Sequence, residues 1–170
     1  MSTPRLSQTS FIVLGLLDYA GSGTPYDLKR AAEVSTNNFW TVPHTQIYTE
    51  CARLAESGLL VEEREQTGRR RRVYRLTKEG REQLERWRGE PSEGISELRD
   101  ASTLKLFFGG DPAALAAGQL AAHERTLADY EQLIEHKEHL PAGQLLALEC
   151  GIGHEREWVR FWGRLAAAGD

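Results

Sequence analysis

The chain of 170 residues is poor in cysteine: it has two, Cys51 and Cys150. Two cysteines supply neither a disulfide framework nor a metal set. Each falls inside a helical pattern, where a small buried hydrophobe is the ordinary role. A long apolar run is also missing. Nothing approaches the roughly 18 residues of a membrane span, so no membrane partner is expected. The run Phe11–Leu17 is short, without the basic segment or small-residue cleavage site of a signal peptide. A cytoplasmic protein with reduced thiols is expected. No glycine-rich phosphate loop and no paired nucleophile and base are present, so the sequence does not read as an enzyme. His123, His136, His139 and His154 are scattered, and no cysteine or carboxylate cluster joins them in a ligand pattern, so neither a metal nor a cofactor is expected.

An overall excess of basic charge is missing too, the formal net charge being -4. The charge is uneven, however. Residues 1–91 hold 14 Lys and Arg against 12 Asp and Glu, and residues 92–170 hold 7 against 13. A basic patch need only be local to attract nucleic acid, and a separate acidic half does not cancel it.

What is present centres on Pro43 to Leu76. Pro43–Ser57 predicts a short helix with an inward stripe of Ile47, Cys51 and Leu54. That leaves His44, Thr45, Gln46, Tyr48 and Thr49 on or beside its outer face. Gly58 ends the helix. Two β runs follow, around Leu60–Glu63 and Val73–Leu76, joined by a tip that carries Arg69, Arg70, Arg71 and Arg72. A helix able to enter a major groove, followed by a hairpin able to grip phosphate, predicts a winged helix-turn-helix that binds double-stranded DNA. Gln46 and Thr45 are candidates for base edges, Thr49 for a thymine methyl or a phosphate, and Tyr48 and His44 for phosphate or sugar. Arg53, Arg69, Arg70 and Arg71 complete the set. Because alternate strand residues face opposite ways, Arg72 is expected to turn toward the body. The competing reading of the arginines is a solvated hairpin with ion pairs to Glu62, Glu63 and Glu65.

Around this stretch the pattern predicts a mainly α chain. A first helix runs from an N-cap at Ser7 to Tyr19, and a second from Thr24-Pro25 to Ser35. Phe39 and Trp40 are expected as core plugs under the third helix. Thr77 caps a fourth helix, with Leu84 and Trp87 facing in; Thr77-Lys78-Glu79-Gly80 misses a capping box because glycine sits at N3. The expected units are a winged-helix domain at 1–88, with a three-helix core and two-stranded wing, a linker at 89–94, and a C-terminal α-helical dimerisation domain at 95–170. In the last, helices are predicted over Gly94–Phe108, Asp111–Leu140 and Gln144–Ala168. Leu120, Leu127, Tyr130, Ile134, Leu148, Ile152, Val159 and Trp162 form the candidate dimer seam. A two-helix hairpin has too little interior for Leu145, Leu148, Ile152, Trp158, Val159, Phe161, Trp162 and Leu165 together, which favours a homodimer, hence an inverted-repeat operator. Trp87, Phe107, Phe108, Trp158 and Phe161 are candidate ligand contacts, or simply core.

Several segments together carry a resemblance: Leu14-Gly15-Leu16-Leu17, Tyr26-Asp27-Leu28, Phe39-Trp40, Gln46-Ile47-Tyr48, Arg53-Leu54, Ser57-Gly58-Leu59 and Val73 through Gly80. Their order and spacing over most of 11–87 resemble the PadR family of bacterial transcriptional regulators, and Leu104–Gly109 resembles the start of the C-terminal domain in its longer members. The resemblance implies a homodimeric winged-helix repressor that a small-molecule effector releases from its operator. Two positions depart from the pattern. Pro25 stands where a glycine is usual, and Pro43 where a serine commonly caps the recognition helix. Thr41 is the substitute acceptor expected there. Two other readings remain: a winged-helix module that docks an acidic protein, and a small-molecule-binding helical protein without an operator.

Overall fold

The computed structural model describes residues 5–64, 71–95 and 97–168. The chain divides into two compact units, Met1–Gly94 and Ile95–Asp170.

The first unit opens with α1, Gln8–Ala20. Ser7 caps it, and Ser7 and Ser10 exchange backbone and side-chain hydrogen bonds in a capping box. Gly21, at φ 75°, ends the helix in a conformation that glycine adopts at little cost. Helix α2, Pro25–Glu33, starts behind Thr24, whose hydroxyl accepts the Asp27 N–H while Asp27 answers to the Thr24 backbone. Pro25 takes the first-turn position, where the missing N–H costs nothing. A 3-10 turn, Thr36–Asn38, leads to α3, His44–Glu56. Strands β1, Leu60–Arg64, and β2, Arg72–Leu76, pair antiparallel with Leu60 opposite Leu76 and Glu62 opposite Tyr74. Helix α4, Lys78–Gly89, follows.

The core is one cluster. Val13, Leu14 and Leu17 of α1, Leu28 and Ala32 of α2, and Ile47, Cys51 and Leu54 of α3 meet Leu59, Leu60, Tyr74, Leu76 and Leu84. The expected α3 stripe is therefore the buried one, which fixes the opposite face of α3 as the exposed one. The Gly21–Gly23 break does more than end a helix. Gly23 pairs with Tyr74 through two backbone hydrogen bonds of 3.1 and 2.9 Å, tying the segment between α1 and α2 to the wing.

Gly80 explains the missing capping-box residue. A Cβ there would lie 2.2 Å from the Leu59 carbonyl oxygen, so no side chain fits at this N3 position. Thr77 still caps the helix by accepting the Gly80 N–H.

Phe39 and Trp40 are not core plugs: they are 71% and 49% exposed. Val42 fills the position under α3 instead, its N–H held at 3.2 Å by the Asn37 side chain. Thr41 does not cap α3 either; its hydroxyl donates to the Asn37 carbonyl, and Pro43 is an N-cap without a side-chain bond. Trp87 lies partly exposed and stacks on Phe11 at 4.6 Å.

The second unit is built on an antiparallel pair, α6, Pro112–Ile134, and α7, Ala142–Ala167. Tyr130 lies against Gly151, and Leu120 against Gly163. A short helix α5, Ala101–Phe107, precedes them. The helix expected from Gly94 begins only at Ala101. Gly94 has φ 108°, and Asp100 caps α5 by accepting the Thr103 N–H, so local capping chemistry overrides the apolar spacing of Ile95 and Leu98. The helix expected to reach Leu140 stops at Ile134, followed by a 3-10 turn at Lys137–His139. No apolar residue lies between Ile134 and Leu140 to give that stretch a buried face. Cys150 is exposed, unlike Cys51.

Candidate nucleic-acid interface

The outer face of α3 is polar. His44, Thr45, Gln46, Tyr48 and Thr49 are all exposed, on the side opposite Ile47, Cys51 and Leu54. Pro43 supplies no side-chain cap, and the Gln46 N–H donates instead to the Pro43 carbonyl at 2.9 Å. His44 Nε2 lies 3.6 Å from Glu33 at the end of α2. Thr49 donates to the Thr45 carbonyl at 3.0 Å. The start of α1 joins this surface: Ser7 and Thr9 line a polar depression of about 230 Å³ with Thr45, Gln46, Thr49 and Glu50.

Arg53 behaves differently from its neighbours. Its Nε donates to Glu50 Oε2 at 2.8 Å and its Nη2 to Glu50 Oε1 at 2.6 Å and to Ser10 Oγ at 3.1 Å. The Arg53 guanidinium holds the Glu50 carboxyl below the usual glutamate value; burial opposes this, and the Ser10 hydroxyl adds to it. Glu50 and Ser10 are among the few buried polar side chains, and the sequence reading missed both. Two signals were available: an acid and a base at i, i+3, and a serine within the apolar α1 stripe. The adjacent Cys51 thiol is pushed up to about 12, chiefly by burial and then by Glu50.

On the wing, Arg69 and Arg70 lie outside the described residues. Arg71 is exposed, and its charge helps lower the Asp27 carboxyl, whose main partner is Thr24. Arg72 alternates in register with Tyr74 and Leu76, but its side chain is half exposed and lies 3.6 Å from Glu62. Arg64 pairs with Glu62 at 3.0 Å, and Arg75 pairs with Glu63. The ion-paired reading thus holds for Arg72 and Arg75. Tyr74 donates to Glu62 at 3.0 Å, which ties this charge pattern to the core.

In the second unit, Trp162 and Ile152 are buried within the single chain, so they are internal core and not part of an exposed seam. Leu120, Leu127, Tyr130, Ile134, Leu148 and Val159 are partly buried. Leu133 and Leu146 are exposed. Trp158, Phe161 and Trp162 form one aromatic cluster on α7, with His123 stacked on Trp158 and its Nδ1 2.6 Å from Glu155. Phe107 and Phe108 are exposed and meet edge to face. Trp87 belongs to the first unit, with Phe11. Among the described residues, no group of three or more His, Cys, Asp or Glu is placed to hold a metal ion. No helix there is long and apolar enough to cross a membrane.

A three-helix core, a polar outward helix and an arginine-bearing two-stranded wing define a winged helix-turn-helix transcriptional regulator. The family described as "Transcriptional regulator PadR-like family" matches residues 13–86, and "Virulence activator alpha C-term" matches residues 98–168. The Negative transcriptional regulator PadR of Bacillus subtilis is 25% identical over 167 residues, covering 89% of this chain and 91% of that protein. The structure of Bacillus subtilis PadR in complex with operator DNA matches with a TM-score of 0.81 at 22% identity, covering 96% of this chain and 100% of that one. Its complex with p-coumaric acid matches with a TM-score of 0.75 at 22% identity, covering 95% and 98%. The winged-helix unit of this chain is thus similar to the PadR-like family of transcriptional regulators, which it matches over residues 13–86.

Proposed function

We propose that the protein is a cytoplasmic homodimeric repressor. Residues 1–88 bind duplex DNA, 89–94 link, and 95–170 dimerise and receive an effector. The observation that carries the DNA reading is the exposed polar face of α3, built from His44, Thr45, Gln46, Tyr48 and Thr49, on a helix whose other face is locked in the core. Thr45 and Gln46 read base edges there. Arg69, Arg70 and Arg71 of the wing supply phosphate contacts, which position the protein without specifying sequence. Arg53 is reassigned: its guanidinium is engaged by Glu50 and Ser10 and acts within the protein. The repressor sign is supported by the negative regulator of Bacillus subtilis, and the DNA partner by that relative's operator complex.

Two recognition helices on a symmetric dimer read an inverted repeat. The exposed Leu133 and Leu146 support burial of the α6–α7 surface against a second copy. The aromatic cluster on α7, and the relative's complex with p-coumaric acid, support a small planar effector. The protein carries out no chemistry in this reading. Footprinting of the protein's own upstream DNA tests it. Two protected half-sites about one helical turn apart are expected; a single unpaired half-site would remove the dimeric arrangement. The docking of an acidic protein, the other reading of the arginines, predicts no salt-dependent duplex binding.

A further inference from the structure

Apolar packing decides which face of α3 points inward, but it is not directional. Ile47, Cys51 and Leu54 constrain the angle of the helix about its axis by shape alone, without a directional bond. Side-chain tips on the outer face lie roughly 5–6 Å from that axis. A rotation of about 20° would therefore carry them about 2 Å, beyond hydrogen-bonding tolerance. Something directional must fix the angle if Thr45 and Gln46 are to meet base edges.

The buried polar group on α3 is placed to do this. Glu50 follows Gln46 by one turn and lies beside Thr49. It also lines the same depression as Thr45, Gln46 and Thr49. Both its oxygens are engaged by the two-pronged Arg53 guanidinium, and Oε1 also receives the Ser10 hydroxyl of α1. The Ser10 oxygen in turn accepts the Ser7 N–H at 2.8 Å, at the capped start of α1. The chain of contacts runs from the α1 backbone to the reading face of α3. A half-buried ion pair of this kind contributes little net stability against an apolar replacement; the best-attested use of such pairs is to fix register and geometry.

We infer that Ser10, Glu50 and Arg53 are positioning residues, a network that sets the rotation of α3 against α1 and thereby gives the outer face its sequence selectivity. The inference rests on the DNA reading proposed above, and it assigns to Ser10 of α1 a part in discrimination although Ser10 is itself buried.

The test compares Kd for the footprinted operator and for a scrambled duplex, in the full-length protein and in the variants Glu50→Gln, Ser10→Ala and their combination. Glu50→Gln keeps the shape and loses the charge. Ser10→Ala leaves the ion pair intact, so it guards against a folding failure. The operator preference should fall about tenfold in Glu50→Gln and less in Ser10→Ala, with the double variant no worse than Glu50→Gln alone. Affinity for the scrambled duplex should change far less than affinity for the operator, because the wing arginines that hold phosphate do not turn with α3. A loss merely of fold would lower both duplexes together. Hydrogen exchange without DNA gives a second readout: amides of Thr45–Thr49 should exchange faster in Glu50→Gln, while those of α4 should not change. An undiminished preference in Glu50→Gln, an equal loss on both duplexes, or unchanged α3 exchange would overturn the inference. A wild-type protein that prefers neither duplex would instead overturn the operator reading on which the inference stands.

Discussion

Replacing Gly80 with alanine should loosen the joint between wing and α4. The added Cβ would lie 2.2 Å from the Leu59 carbonyl oxygen and 3.2 Å from Leu76 Cδ2. The first neighbour is backbone, so the carbonyl must retreat by about 1 Å to restore contact distance. That carbonyl accepts both the Thr77 N–H and the Thr77 hydroxyl, each at 3.1 Å. Weakening two hydrogen bonds costs about 1 kcal/mol each, and overpacking costs about 1–3 kcal/mol. Alanine's better helix propensity returns about 1 kcal/mol. The expected net loss is about 2–4 kcal/mol, or roughly 10–30 °C in Tm for a unit of this size. Urea unfolding followed by circular dichroism measures it, and Leu59 leads into β1, so wing-dependent DNA binding should weaken as well. A stability within about 0.5 kcal/mol of wild type, the range of an ordinary surface change, would refute the steric argument.

Arg71→Ala should weaken all duplexes alike and reduce the salt slope by about 1, as loss of one phosphate contact does; an unchanged slope in a salt titration would remove Arg71 from the interface. Glu50 titrates below its ordinary value in the folded chain, so its contribution to stability is complete above the unfolded-state pKa and is lost as pH falls through the folded one. Denaturation across the acid range should therefore show a flatter pH dependence in Glu50→Gln than in wild type, and parallel curves would contradict this. Trp162→Ala should destabilise the second unit by about 3–5 kcal/mol, because the ring is internal core. Leu146→Glu should instead yield folded monomers by light scattering, and an intact dimer would move the interface elsewhere. Cys51 should resist thiol reagents until the chain unfolds, since its thiol is buried and pushed up to about 12.

The first unit was legible because its signals are local and reinforce one another. Thr24-Pro25 and Thr77 mark helix starts, Gly21 and Gly58 mark stops, and the Ile47, Cys51, Leu54 stripe fixes which side of α3 faces out. The alternation of Leu76, Tyr74 and Arg72 was readable in the same way. What failed depended on contacts between distant residues. Phe39 and Trp40 look like core in isolation, but Val42 takes the site under α3, anchored by Asn37. Arg53 looks like a DNA contact until Ser10, 43 residues away, is brought to it with Glu50. In the second unit, apolar spacing along α7 does not say which residues face α6, so Trp162 and Ile152 were placed on an exposed seam although they lie inside. A helix pair leaves that choice to packing, whereas a β run with fixed alternation does not.

The central claim is that α3 and the wing bind duplex DNA with sequence preference. The most direct measurement is a fluorescence-anisotropy titration of the full-length protein against its own upstream DNA and a scrambled duplex, at two salt concentrations. Binding to both should weaken steeply with salt, and the preference for the upstream duplex should survive at the higher concentration. Absence of binding to either duplex at low salt would contradict the account and leave the arginine wing to an acidic protein partner.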